Sequence, residues 1–187
     1  RAPAAPRVPT GTHTTIAHEM KSMMRQGMEL FWRSKYDLSK SLFEAVRYEA
    51  HEMRNTDLEG EALCNLASVY ESTKQHAEAS DLYHQSLRVF KQQGGSSFAA
   101  KKEARILYNL SHSYVGMQRY EEALGCLDQA RNLIENVILA VPNSACYTGG
   151  DFERIRSAID QQSALVLHCQ AKERNLKHLK RATASDR

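Results

Sequence analysis

Between Glu61 and Ile138, apolar and small residues return twice in one order. Ala62-Leu63-Cys64-Asn65-Leu66-Ala67-Ser68-Val69-Tyr70 is followed by Ala79, Leu82, Tyr83, Ser86 and Leu87. Forty-four residues on, Ile106-Leu107-Tyr108-Asn109-Leu110-Ser111-His112-Ser113-Tyr114 is followed by Ala123, Cys126, Leu127, Ala130 and Arg131. The Asn-Leu pair, the Tyr five residues after the Asn and the Ala nine after the Tyr all recur in place. Spacing of i, i+3 and i+4 within each stretch predicts helices with one apolar face. Recurrence at a fixed period predicts an array of helical hairpins, because each hairpin hides its apolar face only against a neighbour. Small residues recur where two helices must cross closely, and larger ones where hairpins meet.

The same template extends towards both ends. Met20, Met23, Met24, Gly27, Leu30 and Phe31 keep helical spacing and predict a helix over 15–33, with a second over 37–54. Gly27 then falls where Ala67 and Ser111 fall later, Ser39 matches Ala79 and Ala123, and Phe43 matches Tyr83 and Leu127. Tyr36 likewise matches His76 and Tyr120. This is a degenerate first copy. Thr56-x-x-Glu59 has the capping-box form and opens the second pair, predicted over 56–73 and 77–92. Gln92-Gln93-Gly94-Gly95-Ser96-Ser97 reads as a loop before a third pair over 98–117 and 120–140. Pro142 to Gly150 reads as another loop, and Asp151 as the cap of a last helix reaching about 181. Ile155, Ala158, Ile159, Leu165, Val166, Cys169 and Leu176 form its apolar stripe, and fraying is expected after Leu179. Residues 1–14, rich in Pro and Ala, read as a flexible lead-in, and 182–187 as a tail.

The order of small, aromatic and Ala positions resembles the tetratricopeptide repeat, although the usual Trp near the start of each unit is Leu63 or Leu107 here. The resemblance implies an all-α solenoid of three hairpins (15–55, 56–97 and 98–141) and a capping helix at 151–181, about seven helices in a right-handed stack. Copies of 40 to 44 residues are similar to the longer repeats of kinesin light chains and LGN-type polarity adaptors.

Composition adds limits. The 187 residues are 42% hydrophobic and 25% charged, with four Pro and nine Gly, which is ordinary for a folded soluble chain. No run of 18 apolar residues and no charged-then-apolar leader occurs, so neither a membrane span nor a signal peptide is expected. The Arg at position 1 suggests a processed chain or a piece of a longer one. Net charge is +3, with basic ends and an acidic middle, which reads as solvated helix faces. Cys64, Cys126, Cys146 and Cys169 make no C-x-x-C and have no His at ligand spacing, so no metal is expected. Cys64 and Cys126 sit at packing positions, which suits reduced thiols in an intracellular, cytoplasmic setting.

Chemistry is poorly supported. None of the eight His lies in H-E-x-x-H, and neither G-x-S-x-G nor a phosphate-loop motif occurs. No catalytic residue and no cofactor is therefore expected. Gly94-Gly95-Ser96-Ser97 before Lys101 and Lys102 reads as a plain loop rather than a phosphate cradle. The repeated positions carry Asn, Met, Ser and Tyr rather than basic residues, which argues against nucleic acid.

A groove for a protein or peptide partner is the better reading. In the repeats this chain resembles, the first helix of each hairpin lines the concave side. Carried onto this sequence, the lining positions are Met24, Met28 and Phe31, then Cys64, Asn65, Ser68 and Glu71, then Arg105, Tyr108, Asn109, His112 and Val115. The site set expected from them is Asn65, Asn109, Met24, Met28, Ser68, Arg105, Tyr108 and His112. Asn65 and Asn109 share one repeat position, and an amide offers donor and acceptor together, which suits gripping a partner's main chain. The alternative is that each Asn bonds a neighbouring helix terminus. The chaperone-tail clamp of the family does not fit, since Met24 and Met28 stand at its first-repeat places. Met20, Met23, Met24 and Met28 with Phe31 and Trp32 read either as core or as an adaptable binding face. The runner-up function is a structural subunit or homo-oligomerisation unit of a larger cytoskeletal, transport or RNA-processing assembly.

Overall fold

A computed structural model describes residues 13–92, 97–140 and 149–185. Residues 1–12 of the expected lead-in, 93–96 and 142–148 of the expected loops (with Cys146), and 186–187 of the expected tail lie outside these. Among the described residues seven helices run in order: α1 (His13–Trp32), α2 (Tyr36–Glu52), α3 (Thr56–Ser72), α4 (His76–Lys91), α5 (Ser97–Gly116), α6 (Tyr120–Ala140) and α7 (Gly149–Ser185). The described residues contain no strand. Consecutive helices pack against each other, and the odd-numbered helices also touch in succession, α1 to α3 to α5 to α7. That is an α-solenoid of three hairpins with a terminal helix.

The turns give the register of the three hairpins. Ser34, Lys74 and Gln118 each adopt a positive φ, at 57°, 64° and 61°. They stand 40 and 44 residues apart, the spacings read from the sequence. In each turn this residue's N–H bonds three residues back, to Phe31, Glu71 or Val115, at 2.9–3.0 Å. The next N–H reaches five residues back, to Leu30, Tyr70 or Tyr114, at 2.8–2.9 Å. This paired closure satisfies carbonyls that the helix end leaves open. The turn between α2 and α3 is built alike, with Arg54 at φ 53° and Asn55 N–H on Ala50 O at 2.8 Å.

The expected cap of α3 is corrected by one residue. Asn55 is the cap, its Oδ1 accepting from the Leu58 N–H at 3.2 Å, and Thr56 is already helical. Glu59, the expected reciprocal member, instead meets His51 Nδ1 at 2.9 Å. At the other end α7 starts at Gly149 and continues to Ser185, past the expected fraying point.

Close crossings fall at the small positions. Ser39, Ala79 and Ala123 have no exposed surface, and Phe43, Tyr83 and Leu127 fill the core beside them. Ser39 Oγ donates to Gly27 O at 2.8 Å, so the hydroxyl is satisfied where two backbones meet. Ser86 Oγ does the same with Gly60 O at 2.7 Å. At both glycines the space of a side chain is taken: a Cβ would come within 2.5 Å of the Phe43 ring or 2.6 Å of the Phe90 ring.

Polar ties join the second hairpin to the third. Glu71 bridges Ser113 Oγ on α5 and His76 Nδ1 on α4, the latter at 3.0 Å. Lys102 reaches from α5 to Glu61 and to Asp57 (3.6 Å) on α3, with its ammonium over the rings of Phe90 and Phe98. Ile159, Gln162 and Val166 of α7 are buried on the third hairpin, and Arg131 of α6 holds Asp160 at 3.0 Å. Leu165 and Leu176 stay about half exposed (51% and 52%), so the expected single apolar stripe divides into a buried side and an open one.

Candidate peptide-binding groove

On one side of the stack α1, α3, α5 and α7 touch in succession. Between α1 and α3 lies an open hollow of about 430 Å³. Met24, Met28 and Trp32 line it from α1, one helical turn apart, with Arg25 and Glu29 on the same stretch. Glu61 and Asn65 face them from α3. Trp32 is 75% exposed, although it packs edge-to-face on Phe31 with ring centroids 5.3 Å apart. A large apolar ring held in water beside a hollow is an unspent source of binding energy.

The two repeat asparagines differ in surroundings. Asn65 sits on the wall of this hollow, half-buried, with its amide on no partner among the described residues. Asn109 Nδ2 lies 4.0 Å from the Cys64 Sγ, a long contact to a weak acceptor. Burial pushes the Cys64 thiol above its usual pKa, against the pull of Arg105 and of the Asn109 amide. The Cys126 thiol is pushed up to about 11 for the same reason, so both are inert packing groups.

Others of the expected set are partly spent on the fold. Ser68 Oγ donates to Cys64 O at 3.1 Å and shares a bond with Tyr83 OH at 3.1 Å, which turns its hydroxyl inward. Met24 is only 8% exposed and offers the hollow an edge. Cys64 and Glu71, also expected on the lining, are respectively buried and tied to Ser113 and His76. Tyr108 and His112 stack edge-to-face, centroids 5.0 Å apart. His112 Nδ1 lies 3.4 Å from Gln162 Nε2 of α7, which donates to the neutral ring. Burial lowers the His112 pKa, against a smaller upward pull from Glu71.

A second hollow, of about 210 Å³, lies between α5 and α7. Phe98 and Ile155 form its apolar walls, and Lys101, Lys102 and Arg105 bring cationic groups to it. Of the expected set only Arg105 belongs here. Trp32 was left open between core and binding face, and Phe98 was not singled out, because periodicity marks an apolar face without saying which part of it stays open.

Tetratricopeptide repeat models match residues 60–92 and 104–136. The chain carries tetratricopeptide repeats. The two matches begin 44 residues apart and cover α3–α4 and α5–α6, the hairpins whose turns hold Lys74 and Gln118. No curated protein matches the chain. Tetratricopeptide repeats are in general protein–protein interaction modules. Among the described residues, no helix is long and apolar enough to cross a membrane. No group of three His, Cys, Asp or Glu there is placed to hold a metal ion.

Proposed function

We propose that this repeat array is a non-catalytic protein-interaction module that holds a segment of a partner along its inner groove, in a scaffold or adaptor role. The observation that carries the reading is the open hollow between α1 and α3, where exposed Trp32 stands beside Met28 and the unspent amide of Asn65. An apolar partner side chain enters against Trp32 and Met28, while Asn65 bonds the partner's main chain through donor and acceptor at once. Thioethers repack around different side chains, so this end of the groove selects for apolar character rather than one shape. Asn109, Tyr108, His112 and Arg105 continue the lining along α5, whereas Ser68 supports it from behind through the inward hydroxyl it shares with Tyr83. The free thiols Cys64, Cys126 and Cys169 agree with a reducing, intracellular setting.

A second reading, a structural or self-associating subunit, is favoured by the open side of α7 with Leu165 and Leu176. Peptides selected from a random display library against the wild-type protein separate the two. Groove binding predicts binders that Asn65→Ala weakens about tenfold, a loss of about 1.4 kcal/mol, with an unchanged melt. Binders that ignore Asn65→Ala and Trp32→Ala but lose affinity with Leu165→Asp support the second reading.

A further inference from the structure

The two hollows on this side of the stack differ in chemistry, and that difference specifies a partner. The hollow between α1 and α3 is walled by Met24, Met28 and Trp32, with Arg25, Glu29 and Glu61 bringing both signs of charge to it. The one between α5 and α7 joins apolar walls, Phe98 (57% exposed) and Ile155, to cationic groups. Lys102 is matched by Glu61 and Asp57. Arg105, also exposed, has no carboxylate partner among the described residues. An unmatched guanidinium beside an exposed aromatic ring is complementary to a carboxylate that neighbours an apolar side chain. The volume, about 210 Å³, admits a side chain or two and not a folded element.

Spacing adds a second constraint. Arg105 stands 44 residues after Glu61, so both hollows lie at similar heights on their helices, two rungs apart. Packed helices lie about 8–10 Å apart, which puts the hollows roughly 16–20 Å from each other. An extended chain rises about 3.3 Å per residue. That distance is about five or six residues.

We infer that the hollow formed by Phe98, Arg105 and Ile155 is a second subsite, which takes an acidic residue of an extended partner segment about five or six positions from the apolar residue anchored at Trp32. The inference rests on the groove reading and extends it to the partner's sequence. An acid at Arg105 and an apolar anchor at Trp32 together fix the register of the segment, which neither hollow does alone.

The test is a random 12-residue peptide library selected in parallel against the wild-type protein and Arg105→Glu, each checked for unchanged helical content. Wild-type binders should share an apolar residue and an Asp or Glu at the stated spacing. Arg105→Glu should keep the anchor and exchange the acid for Lys or Arg at the same position. For a synthetic wild-type binder, the milder Arg105→Gln should weaken affinity about fivefold, and less in high salt, where exposed charges are screened. Binders that depend on Trp32 but have the same charge pattern on both proteins overturn the subsite and leave the groove standing. Binders indifferent to Trp32 and Asn65, or no binders at all, overturn both.

Discussion

Asn109 and Asn65 occupy one position of successive repeats, yet among the described residues only Asn109 has its amide on another side chain, the Cys64 thiol at 4.0 Å. The repeat therefore separates a packing amide from an available one. Asn109→Ala should cost about 0.5–1 kcal/mol in a urea melt, the worth of a weak hydrogen bond. Asn65→Ala should leave the melt unchanged. Together the two replacements should weaken peptide capture without changing helical content. A double variant that unfolds would make both amides structural.

The glycines test the crossings. Gly27→Ala and Gly60→Ala each push a methyl onto a fully buried ring, Phe43 or Phe90. Overpacking of this kind costs about 1–3 kcal/mol, more than the roughly 1 kcal/mol of helix propensity that Ala brings. Both should lower the denaturation midpoint. Gly125→Ala meets nothing within 4 Å and should raise it.

Lys74 and Gln118 hold a left-handed backbone that L side chains enter at a cost of about 1–2 kcal/mol. Glycine removes that cost and loses part of the gain to its freer unfolded chain. Lys74→Gly and Gln118→Gly should each stabilise the fold by about 0.5–1 kcal/mol in thermal unfolding.

Burial lowers the pKa of His112, so the unfolded chain takes up the proton first as pH falls. The stability carried by the neutral ring is complete above its unfolded pKa, about 6.5, and is lost as pH drops below that towards the folded value. A urea midpoint measured at pH 7.5 and again at 5.5 should fall on acidification. His112→Gln should fall less over the same interval. His84, lowered mainly by burial and held to Tyr114 OH at 3.0 Å, adds a separate contribution of the same sign.

The hairpins are legible in the sequence because their small and large apolar positions recur with the turns, as Ser34, Lys74 and Gln118 demonstrate. The α3 cap was misplaced by one residue because Asn55 and Thr56 are both good caps, and only the backbone decides which comes first. Lys102 was invisible as a tie, since its partners Asp57 and Glu61 lie more than forty residues away. The site was legible only in part. The resemblance to the repeat assigned Asn65 and Met28 to the first helices of their hairpins, but which amide is used up by Cys64 depends on side-chain geometry across two hairpins. The division of α7 into a buried and an open side likewise depends on the angle at which it meets α5 and α6.

The six methionines allow the groove to be watched directly. With ¹³C-methyl labels on Met, a selected peptide should be titrated while the six methyl resonances are followed by NMR. Groove binding predicts a large shift of Met28 and a smaller one of Met24, which line the hollow beside Trp32. Met53 and Met117, packed on the core away from it, should stay in place. Saturating peptide that leaves Met28 unmoved, or moves Met117 instead, would contradict a partner segment held between α1 and α3.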